Sequence, residues 1–166
     1  DGQFDPNDIL KLIEPILKGE ADFVTASRFL DPQLVPEMTR TKRWGNDVMA
    51  RWVSSLVKTR FRDVSCGFRA YSRNAFLRLV LLGDFTYTHE VFLTLAFARV
   101  AIREVPVKVR GVREHGRSRV ASNLFRYAWR TASIILKTYR DYRPLRFFSK
   151  FAGALAVAGL GFLCFL

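Results

Sequence analysis

The sequence predicts an α/β fold with a partial sheet, followed by a basic amphipathic helix and the start of a membrane segment. Three observations predict it. Short apolar runs alternate with stretches of helical periodicity, as in a sheet covered by helices. Charge is segregated: residues 1–98 carry 13 basic and 12 acidic side chains, whereas residues 99–150 carry 14 basic and 3 acidic, within a formal net charge of +12. The last 16 residues, 151–166, are uncharged and apolar. A chain of 166 residues is long enough for one domain with its own core.

Asp5 is placed to cap a helix with Pro6 in its first position and Asp8 in its first turn. Ile9, Leu10, Leu12, Ile13, Ile16 and Leu17 continue at helical spacing, and Gly19 closes the helix. Residues 21–26 read as a short strand ending at Ser27-Arg28. Residues 30–43 hold Pro32, Pro36 and five charges and read as a loop. Helices are expected over 46–57, from Arg73 to about Leu82, and from Glu90 to about Ala98, with a turn and strand over 63–71. Residues 102–109 alternate as a strand, and Pro106 marks it as an edge. The strand count is too low for a complete doubly wound domain.

From 119 to 140 the chain is basic and amphipathic. At about 100° per residue, Arg119, Arg126, Arg130, Lys137 and Arg140 fall within roughly 80° of one another. Leu124, Phe125, Ala128, Ile135 and Tyr139 lie opposite. Such a helix suits an anionic membrane surface, and it equally suits packing on its own domain with the basic side in water. The apolar run that follows, counted from Phe147, approaches the roughly 20 residues that a span requires. Basic residues before it favour the cytoplasmic side. The two cysteines, Cys66 and Cys164, support neither a disulfide framework nor a zinc site.

Several residue groups have the chemistry of a phosphate-handling site. Asp1-Gly2-Gln3 offers oxygen ligands to Mg²⁺ or Mn²⁺ when a substrate diphosphate supplies the rest, though most such pairs are simple turns. Residues 63–69 join the Asp63 carboxylate, Gly67 and Arg69, a set that also makes a tight turn with a surface ion pair. Thr88-His89-Glu90 places a carboxylate at a helix start, where it also serves as a cap. Residues 110–119 form a basic, glycine-punctuated loop suited to phosphate oxygens or to solvent.

Taken in order, these pieces resemble the family 2 glycosyltransferases with a GT-A (Rossmann-like) fold. They are most similar to the polyprenyl-phosphate branch, whose type is dolichyl-phosphate mannose synthase. Asp1-Gly2-Gln3 resembles the second half of an Asp-X-Asp-Gly-Gln metal motif, and Thr25-Ala26-Ser27-Arg28 a Gly-Ser-Arg strand end. Arg43, Gly45 and Asn46 resemble an Arg-X-X-Gly-Asn helix start, and Asp63 to Arg69 an Asp-X-X-Cys-Gly-Phe-Arg segment. Glu104-Val105-Pro106-Val107 through Arg113, Gly116 and Ser118 resembles a Glu-Val-Pro-Val strand and an Arg-X-X-Gly-X-Ser-Lys loop, with Arg119 in place of the lysine. Tyr142-Arg143-Pro144-Leu145-Arg146 resembles the junction into membrane helices.

The resemblance implies the C-terminal part of a GT-A catalytic domain over 1–117, an interfacial helix and juxtamembrane segment over 118–146, and a transmembrane helix over 147–166. The first Asp of the metal motif and the base pocket would lie upstream. It implies inverting, metal-dependent transfer of a sugar from a nucleotide sugar to a polyprenyl or dolichyl phosphate at the cytoplasmic membrane face. Asp63 and Glu90 are then the catalytic carboxylates, Asp63 as base or positioning group. Arg28, Arg43, Arg69, Arg113, Ser118 and Arg119 are the phosphate-binding residues. Asp1 and Gln3 are ligands of a divalent cation. The expected partners are the nucleotide sugar, the lipid phosphate and the membrane, with no nucleic acid and with oligomerisation through the membrane helix as an option. Two other readings stand beside this one: a processive polysaccharide synthase of the same fold, and a membrane-anchored basic binding module without catalysis. The synthase signature Gln-X-X-Arg-Trp is not met, since Arg40 precedes Arg43-Trp44.

Overall fold

The computed structural model describes residues 2–81, 88–110 and 124–165. Of the basic loop expected over 110–119 all but Arg110 lies outside these residues, as do the start of the helix expected from Arg119 and the first residue, Asp1. Helix α1 (Ile9–Leu17) follows a short 3-10 turn whose cap is the Asp5 carboxylate, accepting from the Asn7 N–H at 2.9 Å. Gly19, at φ +70°, ends it in the left-handed conformation that a side chain rarely adopts. Strand β1 (Phe23–Ser27) comes next and is buried along its whole length.

Helix α2 (Arg40–Val57) begins six residues earlier than the sequence reading placed it. Thr39 caps it, its hydroxyl accepting from the Lys42 N–H at 3.4 Å. The charges at 40–43 are helix formers on an exposed first turn, not loop residues. Strand β2 (Arg69–Tyr71) leads into α3 (Arg73–Leu77), capped by Ser72 and shorter than the expected helix to Leu82. Helix α4 (Thr88–Phe97) and strand β3 (Ile102–Pro106) follow. Two long helices end the described chain: α5 (Leu124–Tyr142) and α6 (Pro144–Phe165).

The sheet order is β2-β1-β3. Strand β1 pairs antiparallel with β2, Thr25 opposite Arg69, and parallel with β3, Thr25 beside Glu104. Among the described residues β3 is an edge strand, as Pro106 led one to expect. Successive side chains of β1 point to opposite faces. Val24 and Ala26 join Leu12 of α1 and Val107 in one cluster. Phe23 joins Ala50 and Val53 of α2, Val91, Phe92 and Leu95 of α4, and Ile135 of α5 in the other. Helices α2 and α5 both pack against α4.

Helix α4 is the centre of that second layer. Every residue from His89 to Leu95 is buried, so it has no polar stripe of its own. Phe92 meets Phe23 and Phe61 edge to face, at 5.5 and 5.0 Å between ring centroids. Helix α5 contributes Thr131, Ile135, Thr138 and Tyr139 to this packing, while Arg130, Lys137 and Arg140 stay exposed. Part of the apolar side that the sequence reading offered to a membrane therefore covers α4. Phe97 stacks on Tyr142 at 5.5 Å and lies under the Arg143 guanidinium at 5.6 Å, which fixes the α5–α6 junction at the C-terminal end of α4.

Over Pro144–Phe162, α6 is long and apolar enough to cross a membrane, with a mean hydropathy of 1.3 and none of this stretch buried in the protein. Phe148, Phe151, Leu155 and Leu160 are each more than half exposed.

Replacing Phe92 by Ala should cost about 3–5 kcal/mol through lost burial and a residual cavity, measured as a lower denaturant midpoint; an unchanged midpoint would contradict a packed layer around α4.

Candidate active site

The C-terminal end of β1 delivers Arg28 to the loop between α2 and β2, and there it meets Asp63. Arg28 Nε donates to Asp63 Oδ2 at 2.6 Å and Nη2 to Oδ1 at 2.8 Å. The Arg28 backbone N–H adds a third bond to Oδ2 at 3.1 Å. The Ser65 N–H supplies a fourth to Oδ1 at 3.2 Å, and the Ser65 hydroxyl oxygen lies at the same distance from it. The Asp63 side chain is fully buried and that of Arg28 is 20% exposed. Arg28 Nη2 also donates to Ser65 Oγ at 2.9 Å, and Ser65 Oγ reaches Asn46 Oδ1 on α2 at 2.7 Å. One carboxylate thus joins a strand end, a loop and a helix.

Burial acts to raise the Asp63 carboxyl, but the Arg28 guanidinium and the backbone N–H groups outweigh it and hold it below the usual value. The ionised carboxylate thus accepts from four N–H donors, three of them on Arg28.

Glu104 supports the same loop from β3. Its carboxylate accepts from the Arg62 N–H at 2.9 Å and the Asp63 N–H at 2.8 Å. Burial pushes Glu104 up, and these two N–H groups offset only part of that rise. Neither Glu104 nor Ser65 stood among the expected site residues. The signal available for Glu104 was its place in an alternating strand, two positions from Ile102 and so on the same face.

Arg69 spends its donors on the main chain: Nε on Cys66 O at 2.8 Å, and Nη2 on Thr88 O at 2.9 Å and Val64 O at 3.4 Å. Its guanidinium lies over the rings of Phe92 and Phe23, at 5.0 and 5.7 Å. It ties the Asp63 turn to the start of α4, where Glu90 is buried in the first turn. His89 beside it is also buried. Burial, and then Arg69, push its imidazole down to about 4, so it is neutral near pH 7. Cys66 is buried, and burial followed by the Asp63 charge pushes its thiol up.

Arg43, one turn before Asn46 on α2, lies on the wall of a cleft of about 840 Å³ between α2 and the segments 29–35 and 60–62. Gln3 is joined to the end of the β3 segment: its carbonyl accepts from the Arg110 N–H at 3.0 Å, and its carboxamide N–H donates to Arg110 O at 3.1 Å. The carboxamide oxygen is a hard donor of the kind Mg²⁺ or Mn²⁺ takes, so Gln3 fits a supporting ligand. No cluster of three or more His, Cys, Asp or Glu with metal-binding geometry occurs among the described residues. Asp1, Arg113, Ser118 and Arg119 lie outside them.

Two of the chain's relatives carry the name glycosyltransferase. The chain is 34% identical over 84 residues to glycosyltransferase AglJ of Haloferax volcanii, covering 51% of this chain and 27% of that protein. More particularly, it is 30% identical over 114 residues to the UDP-N-acetylglucosamine–dolichyl-phosphate N-acetylglucosaminyltransferase of Methanococcus voltae, covering 65% of this chain and 44% of that one. An uncharacterised protein of Methanocaldococcus jannaschii is 30% identical over 112 residues, covering 65% of this chain and 46% of that one. The chain therefore spans between a quarter and a half of the length of these relatives. No family model matches it, and no solved structure does.

Asp63→Asn removes the charge that Arg28 is built around and should cost about 3–5 kcal/mol in unfolding free energy. His89 carries a pH signature of opposite origin. Its folded-state value lies below the ordinary 6.5, so the folded protein binds fewer protons than the unfolded chain between about pH 6.5 and 4. Stability should fall as pH drops through that window. His89→Asn should flatten the profile there, as read from denaturant midpoints against pH.

Proposed function

We propose that this chain is the C-terminal part of a GT-A catalytic domain of family 2 that transfers a sugar from a nucleotide sugar to a polyprenyl phosphate, inverting the anomeric carbon. The observation that carries the reading is the buried Arg28–Asp63 pair, bonded through Ser65 to Asn46 on the helix that also bears Arg43. That arrangement sets guanidinium groups at the end of a central strand, beside an open cleft, in a chain whose homologues include a dolichyl-phosphate enzyme.

A phosphate acceptor is already ionised near neutral pH, so the reaction does not need a strong base. Arg28 and Arg43 hold the acceptor phosphate by charge-assisted hydrogen bonds. A phosphate oxygen then attacks the anomeric carbon from the side opposite the nucleotide. The bond from that carbon to the diphosphate oxygen breaks, and its electron pair leaves with the nucleoside diphosphate. Asp63 orients Arg28, and Glu90 is the second carboxylate of the site. Arg113, Ser118 and Arg119 take the leaving diphosphate as its charge develops. Asp1 and Gln3 would hold a divalent cation, which supplies further charge neutralisation at the diphosphate. Helix α6 anchors the domain in the membrane, with the basic stretch before it on the cytoplasmic side.

The test is transfer of labelled sugar to polyprenyl phosphate by the full-length protein, over a panel that includes UDP-N-acetylglucosamine and GDP-mannose. A lipid-linked product should form with one donor and disappear on chelation or with Asp1→Ala. Full activity of Asp1→Ala would remove the metal assignment. Absence of product with every donor would remove the function.

A further inference from the structure

Glu104 has no part in the reaction described above, yet it holds the loop on which that reaction depends. The chain between α2 and β2 contains no helix or strand over 58–68, so no regular ladder of hydrogen bonds sets the direction of its peptides. Its buried side chains, Phe61, Val64 and Cys66, fix where the loop lies. Glu104 fixes how the peptides between them are turned. Its Oε1 accepts from the Arg62 N–H at 3.1 Å and the Asp63 N–H at 2.8 Å, and its Oε2 accepts from the Arg62 N–H at 2.9 Å. Two consecutive amides converge on one carboxylate, so turning either peptide breaks a charge-assisted bond.

The two residues held in this way carry the chemistry of the corner. Asp63 sends its carboxylate to Arg28. Arg62 is exposed and lines the same cleft as Arg43. Glu104 therefore stands behind two guanidinium groups at once: Arg28 through Asp63, and Arg62 through its own main chain. The register of the sheet puts it there. Glu104 lies beside Thr25 of β1, three residues before Arg28, and the row continues to Arg69 of β2. Charges held in place before a ligand arrives bind it without the cost of ordering them.

We propose that Glu104 is a positioning residue for acceptor binding: it orients the main chain of Arg62 and Asp63 so that Arg28 and Arg62 meet the acceptor phosphate together. Glu104 touches no substrate in this role and takes no proton. The proposal rests on the transfer reading above, and it adds Arg62 to the residues that hold the lipid phosphate. Its effect falls on the acceptor, because neither of these arginines is assigned to the nucleotide sugar.

The test is the kinetics of the full-length protein with the donor that yields a lipid-linked product. Glu104→Ala should raise KM for polyprenyl phosphate about tenfold or more, and leave KM for the nucleotide sugar within about twofold. Glu104→Asp keeps a carboxylate but draws it back by one methylene, and it should behave like the alanine variant. Glu104→Gln keeps one oxygen for the two amides and should recover most of the loss. Arg62→Ala should raise the same KM, and less than additively when combined with Glu104→Ala. Hydrogen exchange in the peptide spanning Arg62 and Asp63 should quicken in the alanine and aspartate variants and stay near wild type in the glutamine variant. Equal loss with glutamine and alanine would make the charge itself essential, as in a base or an ion ligand, and would overturn the proposal. So would an acceptor KM that Glu104→Ala leaves unchanged, a parallel rise in both KM values, or faster exchange throughout the chain, which would assign Glu104 to stability alone. Wild-type transfer with any of these outcomes removes only the positioning role. Absence of wild-type transfer with every donor removes the function, and this role with it.

Discussion

The buried ion pair between Arg28 and Asp63 is the interaction on which the rest of the site depends. Taking both charges out of water is costly, and the pair persists because Arg28 meets both oxygens of Asp63 at close range and backbone N–H groups add to it. The consequences are structural before they are chemical. The pair locks the end of β1 to the loop after α2, Ser65 extends the lock to Asn46, and Glu104 fixes the backbone of the same loop from β3. Three elements distant in sequence are thereby held at one corner of the sheet. Side chains positioned this way can meet a substrate without reorganising, which is where electrostatic catalysis gains most.

Helix α4 gives that corner its floor. Because it is buried on all sides from His89 to Leu95, it has to be covered by the sheet, α2 and α5 together. The same requirement decides how much of α5 is available to anything else: Ile135 and Tyr139 go inward, and the basic side with Trp129 and Leu136 remains. A helix that reads as simply amphipathic in sequence therefore divides its apolar residues between the core of its own domain and an outward border. The packing of Ile135 and Tyr139 with the basic side exposed is what the packed-helix reading of α5 expected.

Most of the element order was legible because it rests on local signals. Asp5-Pro6, Gly19 and the apolar spacing of 9–17 mark α1, and the uncharged run marks α6. The early start of α2 was not legible, since it depends on a single threonine cap in a stretch that looked like a charged loop. The site was legible in part. Arg28 and Asp63 were expected as functional residues, but their union was not, because 35 positions separate them and only the tertiary fold closes that gap. Glu104 was hidden for a related reason: its partners are backbone N–H groups, which carry no residue identity for a sequence to display. Arg69 looked like a ligand for phosphate, and in the fold its guanidinium donates to three main-chain carbonyls.

The two bonds between Gln3 and Arg110 have a mechanical consequence. They clasp residues 107 positions apart, using both the main chain and the carboxamide of Gln3. The clasp ties the segment before α1 to the residues that follow β3, so a displacement of the Arg110 main chain acts directly on Gln3, and two stretches at distant points of the sequence behave as one mechanical unit.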